Sequence, residues 1–260
     1  MKKINSLQNP EIKNIKRLQK KENYRKKQKL VLVEGKKEIE IANDNLELVN
    51  YYYSPELIKE EISEFKDINK SIEVSSQIFQ SISYRGNPDG HLAIFKEKVY
   101  HLKDIVLSKE PLIIVLDGIE KPSNLGAISR TACAVKADLI ILVDSKVDIY
   151  NSNAIRSSTG HIFKTKIISS DFDEASKWLK SKNLKTLTCS GNSKIKYTEA
   201  QLNTPLALVF GSEDKGLKNN WLSVADEKIK ISMLSKMDSL NLSVSVAVIV
   251  FEALRQRKEF

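Results

Sequence analysis

The sequence predicts an α/β protein built on a largely parallel sheet and preceded by a smaller α/β unit. From Pro111 onward, short apolar runs typical of strands alternate with helical stretches, which indicates a parallel sheet with helices on both faces. Polar turns rich in Gly, Ser and Asn follow three of these runs. Because open α/β sheets bind ligands at the carboxyl ends of their strands, these turns also predict a binding site.

The first 97 residues are predicted to form the smaller unit. Asn9-Pro10 is typical of an N-cap followed by a proline at the first helical position. Ile12, Ile15 and Leu18 then give the helix one apolar face. The remaining predicted elements are strands over residues 30–33, 48–53, 72–74 and 92–95, and helices over 36–43, after Ser54-Pro55 and over 76–83.

Residues 98–110 are polar and predict a linker to a second domain over residues 111–260. Strands are predicted there over residues 112–116, 139–143, 164–168, 186–189, 206–210 and 228–232, and a last helix over 242–254. Apolar residues cover nearly the whole circumference of this last helix. A helix of this kind must be buried on more than one side, beneath neighbouring helices or against a second subunit.

The composition excludes several classes of protein. Hydrophobic residues make up 41% and charged residues 29% of the chain, as in ordinary globular domains. No apolar run approaches the roughly 20 residues of a membrane span, and no apolar core follows the first lysines. Cys133 and Cys189 have no CxxC spacing, and the three histidines are scattered. We therefore expect a cytoplasmic protein without a metal or a membrane partner.

The positive charge is concentrated at the N-terminus. Residues 1–29 carry 11 Lys and Arg and 2 Glu, which accounts for the whole net charge of +9. Residues 30–260 carry 31 basic and 31 acidic residues and are therefore neutral overall. Such a concentration supplies the sequence-independent attraction to phosphates that nucleic-acid-binding proteins use. A solvated basic helix is the alternative.

The candidate site residues lie in and around the three polar turns. They are Asn124 and Arg130 in the first turn, Gly211, Glu213 and Gly216 in the second, and Ile231, Met233, Ser239, Leu240 and Asn241 around the third. Glycines permit a positive φ and a close approach of the backbone to a ligand. A Ser/Asn-rich turn before a helix leaves backbone amides free for a ligand. No G-x-G-x-x-G or P-loop pattern is present, so a dinucleotide-binding or P-loop protein is not supported.

In this order, the three turns closely resemble the three signature motifs of the SpoU/TrmH family of RNA 2'-O-ribose methyltransferases, in the SPOUT superfamily. The separations match the family, with 20 residues from Gly211 to Ile231 and 9 from Ile231 to Leu240. The resemblance covers most of the chain. It implies S-adenosylmethionine as the cofactor and a catalytic domain with a trefoil knot.

The N-terminal region also carries a resemblance. Leu32-Val33-Glu34-Gly35, followed later by residues 82–90, is similar to the substrate-binding domain before many SpoU catalytic domains. That domain resembles small ribosomal RNA-binding proteins. The loop from Tyr84 to Gly90 could stack on an unpaired base, or its Asn87-Pro88-Asp89-Gly90 could simply form a turn.

The resemblance gives the polar candidates their roles. Arg130 matches an arginine to which the family assigns hydroxyl activation. Because arginine is effectively always protonated, stabilising the forming alkoxide and gripping a phosphate suit it better. A surface salt bridge is its alternative. Asn124 matches the asparagine of the same motif and could also form an Asx-turn. Glu213 matches a glutamate on the substrate side of the site.

The third motif and the glycines are assigned in the same way. Ser239 and Asn241 match a polar pair near the reacting ribose, although Ser239 could instead cap the last helix. The positions assigned to the cofactor, largely through the main chain, are Gly211, Gly216, Ile231, Met233 and Leu240. Three residues depart from the family pattern and bear on the loops around the cofactor: Ser232 replaces proline, and Ser235 and Lys136 replace glycine.

The favoured function is methylation of a ribose 2'-hydroxyl in ribosomal RNA, because smaller family members that act on transfer RNA often lack the N-terminal domain. The alternatives are the same chemistry on transfer RNA, or a catalytically silent RNA-binding or ribosome-assembly factor. The intact Arg130, Glu213, Ser239 and Asn241 argue against a silent protein. The resemblance also implies a homodimer through the C-terminal helix, with Arg130 supplied by either subunit.

Overall fold

The computed structural model describes residues 2–59, 70–235 and 239–258. The chain divides into two compact units, of which the first combines residues 1–98 with residues 150–164 and the second combines 99–149 with 165–260. The sequence predicts that residues 150–164 belong to the second domain. They pack with the first unit instead, although nothing in their local pattern indicates it. The linker at 98–110 stays a prediction.

The first unit contains a five-stranded mixed sheet. Its strands are β1 (Lys2–Ile4), β2 (Leu30–Glu34), β3 (Leu48–Tyr53), β4 (Ser71–Val74) and β5 (His91–Lys96), and its helices include α1 (Pro10–Lys20), α2 (Glu22–Gln28), α3 (Lys36–Asn43) and α4 (Ser76–Ile82). The strand order is β1-β4-β3-β5-β2. Strand β5 runs antiparallel to both of its neighbours, whereas the other pairs are parallel.

Most of the predicted elements of this unit are confirmed. Helix α1 begins at Pro10, and the side chain of Asn9 accepts a hydrogen bond from the Glu11 N–H at 2.9 Å. Its apolar face is completely buried in the core of the unit. Strand β1 and helix α2 are not predicted, because β1 has only three residues and α2 lacks an apolar stripe. The helix expected after Ser54-Pro55 falls largely on residues 60–69, outside the described residues.

The second unit is built on a seven-stranded sheet that is parallel, as predicted, although its two-residue strand at residues 195–196 was not predicted. Its strands are β6 (Leu112–Asp117), β7 (Leu139–Val143), β8 (Ile167–Ser170), β9 (Lys185–Cys189), β10 (Ile195–Lys196), β11 (Leu206–Phe210) and β12 (Glu227–Lys230). The order is β10-β12-β9-β11-β6-β7-β8, and all neighbours are parallel. Strands β6, β7 and β11 are buried along their whole length, as expected for a sheet covered on both faces.

Four helices of this unit cover the sheet. They are α5 (Pro122–Ala134), α7 (Phe172–Ser181), α8 (Asn219–Val224) and α9 (Leu242–Arg257), and α9 packs against α5. Between β7 and β8 the chain adds α6 (Ser152–Ser157) to the first unit. None of the helices within the described residues is long and apolar enough to cross a membrane.

Two strand predictions differ from the structure by more than one residue at an end. Strand β8 begins at Ile167 instead of residue 164, because Lys164 is the C-cap of a 3-10 turn over His161–Phe163 and has helical backbone angles. Strand β12 ends at Lys230 instead of residue 232. The first motif, predicted as a turn, lies mostly within α5, which begins at Pro122. The adjacent strands β12, β9 and β11 end at the same edge of the sheet, so the loops that follow them meet there.

Candidate active site

A cavity of about 200 Å³ lies at the carboxyl ends of β9, β11 and β12. Its walls come from the three loops and from the start of α9. The lining residues are Cys189, Ser190, Gly191, Phe210, Gly211, Ser212, Glu213, Gly216, Leu217, Lys230, Ile231, Met233, Ser239, Leu240, Leu242, Ser245 and Ile249. All five residues predicted for the cofactor are among them, together with Glu213 and Ser239 of the predicted catalytic set.

The loop after β11 depends on its two glycines. The backbone N–H of Gly216 donates to the carbonyl of Ser212 at 3.0 Å, and these two residues form an antiparallel bridge. A Cβ on Gly211 would lie 2.1 Å from the carbonyl carbon of Gly216. Gly216 itself has φ of +65°. The loop therefore closes tightly on itself, and any side chain at Gly211 would force its backbone open.

Three predicted catalytic residues form a hydrogen-bonded chain. The side-chain amide of Asn124 donates to the carboxylate of Glu213. The amide of Asn241 donates to the side-chain oxygen of Asn124 at 3.3 Å. Asn124 is buried in the first turns of α5. Its side chain bonds to Glu213 and Asn241 instead of forming the Asx-turn considered from the sequence. The chain thus joins α5, the loop after β11 and the start of α9.

Asn241, and not Ser239, caps the last helix. The side-chain oxygen of Asn241 accepts the N–H of Ser243 at 2.9 Å, which satisfies one of the free donors of α9. Ser239 is exposed and lines the cavity instead. The capping alternative for Ser239 is therefore wrong, because the helix begins two residues later than that alternative requires.

Arg130 lies on the exposed surface of α5 and does not line the cavity. It follows Asn124 by six residues, which is about 9 Å along a helix axis. Within the described parts of the chain, its guanidinium has neither a hydrogen-bond nor an ion-pair partner, so the salt-bridge alternative finds no support. The structure brings the other four predicted catalytic residues to the cavity or its hydrogen-bonded chain, but not Arg130.

A buried carboxylate anchors the far end of the loop after β11. Asp117 ends β6, and the Lys218 ammonium lies 3.4 Å from it and 2.6 Å from Asp144. Burial raises the pKa of Asp117, which the charge of Lys218 partly opposes. The hydrogen bond to Asp144 raises the pKa of Lys218, so its ammonium stays charged. Sequence reasoning missed this cluster, because its members come from three distant segments.

The residues at the end of β9 and directly after it were also missed. Cys189, Ser190 and Gly191 line the cavity because β9 lies between β11 and β12 in the sheet. Small residues after a predicted strand were the available signal, but the order of the strands cannot be read from the sequence. In the part of the chain that the structure describes, no group of three His, Cys, Asp or Glu side chains could hold a metal ion.

The three residues that depart from the family pattern differ in backbone conformation and location. Lys136 follows α5 with φ of +51°, in the left-handed region that favours glycine. Ser232 and Ser235 are exposed in the segment after β12. Residues 236–238 of the third motif lie outside the described residues.

Comparisons with known proteins agree with this geometry. Residues 111–251 match the SpoU rRNA Methylase family, and residues 9–93 match the MRM3-like substrate binding domain. The 23S rRNA (guanosine(2553)-2'-O)-methyltransferase RlmP of Bacillus subtilis (strain 168) is 26% identical over 254 residues, which are 96% of this chain and 98% of the relative.

Two solved structures extend the similarity over the whole fold. A crystal structure of an RNA 2'-O ribose methyltransferase is 34% identical with a TM-score of 0.86, and the match covers 98% of this chain and 99% of that one. The AdoMet-bound rRNA methyltransferase from Sinorhizobium meliloti is 26% identical with a TM-score of 0.88, covering 98% and 97% of the two chains. The similarity therefore includes both units.

Proposed function

Because the chain belongs to the SpoU rRNA methylase family, we propose that it methylates a ribose 2'-hydroxyl of ribosomal RNA. It is an RNA 2'-O-ribose methyltransferase that uses S-adenosylmethionine. The observation that carries the site assignment is the cavity after β9, β11 and β12, with the hydrogen-bonded chain of Asn124, Glu213 and Asn241 beside it. The preference for ribosomal RNA is supported by the relatives and by the N-terminal unit.

The lining of the cavity suits the chemistry of the proposed cofactor. Phe210, Leu217 and Ile249 offer apolar surface to a flat base, while Ser190 and Ser245 offer hydroxyl groups. Because Gly211 has no side chain, the backbone of the loop after β11 can close tightly on itself beside the cavity. When bound, S-adenosylmethionine supplies a methyl group on a positively charged sulfur.

The protein has to position the ribose hydroxyl and manage its proton. We assign Glu213, held by Asn124, to the ribose side of the site, with Ser239 and Asn241 beside it. The permanent charge of Arg130 suits it to stabilise the forming alkoxide and to hold the adjacent phosphate. Its lack of a protein partner within the described residues supports this assignment, because a charge without a partner is available to an anion.

The same proposal includes a trefoil knot in the second unit. The family resemblance implies it, and the chain path is compatible with it. Strand β12, late in the chain, lies between β10 and β9, and α9 then returns to pack against α5. Because knotted crossings are rare in proteins, the knot enters this proposal through the family resemblance and not through the strand order.

We further propose a cytoplasmic homodimer that assembles through α9. Apart from its buried residues, this helix presents Val244, Val248 and Phe251 at helical spacing, and Val244 and Phe251 are 46% and 41% exposed. Three apolar residues on one outer stripe are costly to leave in water. A second copy of the helix would cover them.

The N-terminal unit is proposed to bind the RNA and to share the architecture of small ribosomal RNA-binding proteins. Its helices α1 and α2 expose Lys13, Arg17, Lys20, Lys26 and Lys27. The guanidinium of Arg17 lies 4.1 Å from the centre of the Tyr24 ring. Replacing these basic residues by glutamine should weaken RNA binding and flatten its dependence on salt.

The test is a methyl-transfer assay with tritiated S-adenosylmethionine on separated ribosomal and transfer RNA pools lacking the modification, alongside calorimetry with the cofactor. Incorporation into ribosomal RNA alone supports the proposal. Incorporation into transfer RNA alone assigns the substrate to the alternative pool. Cofactor binding without incorporation into either pool would favour a silent RNA-binding factor. Glu213→Gln serves as the control for incorporation that depends on the site.

A further inference from the structure

A shallow cleft in the first unit combines features that recognise a nucleobase. Leu32 and Ile155, both largely buried, line it together with Tyr84, Ser152 and Arg156. Its volume is only about 20 Å³, so it can receive the edge of a planar group but not a whole nucleotide. Ser152, Ile155 and Arg156 lie on α6, the helix that the later segment adds to this unit.

The backbone that carries Tyr84 is held in place by Glu34. One carboxylate oxygen accepts the N–H of Tyr84 at 2.7 Å, and the other accepts the Ser83 hydroxyl. A carboxylate that accepts several hydrogen bonds is a strong local anchor. Tyr84 is nevertheless 48% exposed, so a fixed backbone presents an exposed ring.

The next residue strengthens this support. Arg85 donates to the carbonyl of Glu34 at 3.0 Å and pairs with the buried carboxylate of Glu38 at 2.7 Å. Gly35, with φ of +105°, leaves the space that the guanidinium occupies, since a Cβ there would lie 2.4 Å from Nη2 of Arg85. Gly35 and Glu34 of the 32–35 motif thus position the loop that carries Tyr84.

The groups at the rim of the cleft differ from these anchors. Within the described residues, the hydroxyls of Tyr84 and Ser152 and the guanidinium of Arg156 make no hydrogen bond or ion pair with the protein. Arg156 is also exposed. An aromatic ring, a cation and a hydroxyl are therefore all available to a ligand over a small apolar floor.

We propose that this cleft is a subsite for an unpaired nucleobase of the substrate RNA, in which Tyr84 stacks on the base and Arg156 binds a neighbouring phosphate. The inference rests on the proposed function for the identity of the ligand as RNA. A base inside a duplex has both faces covered by its neighbours, so stacking on Tyr84 requires an unpaired base. A guanidinium is the side chain best suited to a phosphate beside it.

The test compares two RNA probes bound by the full-length protein: a hairpin with a seven-nucleotide mixed-sequence loop, and a duplex in which the same nucleotides are paired. Affinities are measured by fluorescence anisotropy. We expect the hairpin to bind more tightly, and Tyr84→Ala to weaken hairpin binding about tenfold with little effect on the duplex. Tyr84→Phe, which retains the ring, should bind as the unmodified protein does. Arg156→Ala should reduce the salt dependence of hairpin binding by the equivalent of about one phosphate contact.

Two results would overturn the subsite: unmodified protein that binds both probes equally, or Tyr84→Ala protein that retains the full preference for the hairpin. Because the Tyr84 side chain is exposed, its removal should leave the thermal unfolding midpoint unchanged, which separates lost stacking from lost structure. Methyl transfer by the unmodified protein is scored separately. Methylation without a hairpin preference sinks the subsite alone, whereas a Tyr84-dependent preference without methylation of either RNA pool sinks the proposed function alone.

Discussion

The side-chain amide of Asn124 donates a hydrogen bond to the carboxylate of Glu213, 89 residues further along the chain. This bond connects the start of α5 to the loop after β11. Since Asn124 is buried, it is fixed by its surroundings and can hold the Glu213 carboxylate in one place. A neutral amide performs this role without adding a second charge to the site.

The first prediction follows from that neutrality. Asn124→Asp would place two carboxylates side by side, which raises the pKa of one of them. We expect at least a tenfold loss of methyl transfer at neutral pH, with partial recovery as the pH falls, because a protonated carboxyl can again donate to its partner. The measurement is the pH profile of kcat/KM.

Asn124→Leu is the matched control for that profile. Leucine has a similar volume but cannot donate, so its activity should be low at every pH. Recovery of both variants to the same extent at low pH would mean that the hydrogen bond between Asn124 and Glu213 is not the cause.

The second prediction separates the two roles of the Asn241 side chain, whose oxygen accepts from the N–H and the hydroxyl of Ser243 and whose amide donates to Asn124. Asn241→Asp keeps the oxygen that caps α9 but loses the amide that donates to Asn124. Its free energy of unfolding should stay close to normal while methyl transfer falls. Asn241→Ala loses the capping oxygen as well as the amide and should also destabilise the protein by about 1 kcal/mol. Urea unfolding and activity assays on both variants decide this, and equal stability of the two would contradict the assigned cap.

The contrast between these residues and the rest of the fold shows what a sequence can predict. Local signals predicted α1 from Asn9-Pro10 and the parallel strands from apolar runs, because both depend on neighbours in the chain. The contact between Asn124 and Asn241 spans 117 positions, and no local pattern encodes it. The motifs indicated that these residues share a site, but not which of them bond.

Other features escaped prediction for physical reasons. The place of β9 between β11 and β12 depends on the order of strands in the sheet, which brings Cys189 and its neighbours to the cavity. The packing of residues 150–164 with the first unit depends on burial of side chains such as Ile155 against distant partners. Both are properties of tertiary structure.

The third prediction concerns Arg130. Arg130→Ala should abolish methyl transfer while leaving the affinity for S-adenosylmethionine nearly unchanged, because the residue lies outside the cavity. Stability should change by less than about 0.5 kcal/mol, as for other exposed side chains without a partner. Arg130→Lys should also be poorly active, since lysine cannot make a planar bidentate contact. A large loss of cofactor affinity in folded Arg130→Ala protein, measured by calorimetry, would refute the assignment to the ribose side.

The fourth prediction uses the backbone of Lys136. A residue other than glycine in the left-handed region costs about 1–2 kcal/mol, and the greater flexibility of unfolded glycine offsets part of any gain. Lys136→Gly should therefore raise the free energy of unfolding by about 1 kcal/mol. Lys164→Gly is the control, because Lys164 is also exposed but has φ of −86°, and it should destabilise the protein slightly. Similar changes in urea midpoint for the two variants would argue against backbone strain at Lys136.

The faces of α9 provide the basis for the last prediction. Val246, Val250 and Ala253 are buried in the second unit, while Ser245 and Ile249 line the cavity. A third stripe, defined by Val244, Val248 and Phe251, remains on the outside and is the surface that we propose to meet a second subunit.

Replacing Val248 and Phe251 by glutamate should therefore give monomers with weak methyl-transfer activity. In a dimer the two glutamates would be buried against the same two glutamates of the second subunit, which is unfavourable. Light scattering and activity at the same micromolar concentrations measure both effects. Val224→Glu is the matched control, since Val224 is 49% exposed on α8, and it should leave assembly unchanged. Because the substituted side chains are at least partly exposed, the variants should still fold. Circular dichroism checks their folding. A fully active monomer of the unmodified protein at these concentrations would rule out the dimer, and loss of activity from a double variant that still dimerises would show that this face acts in another way.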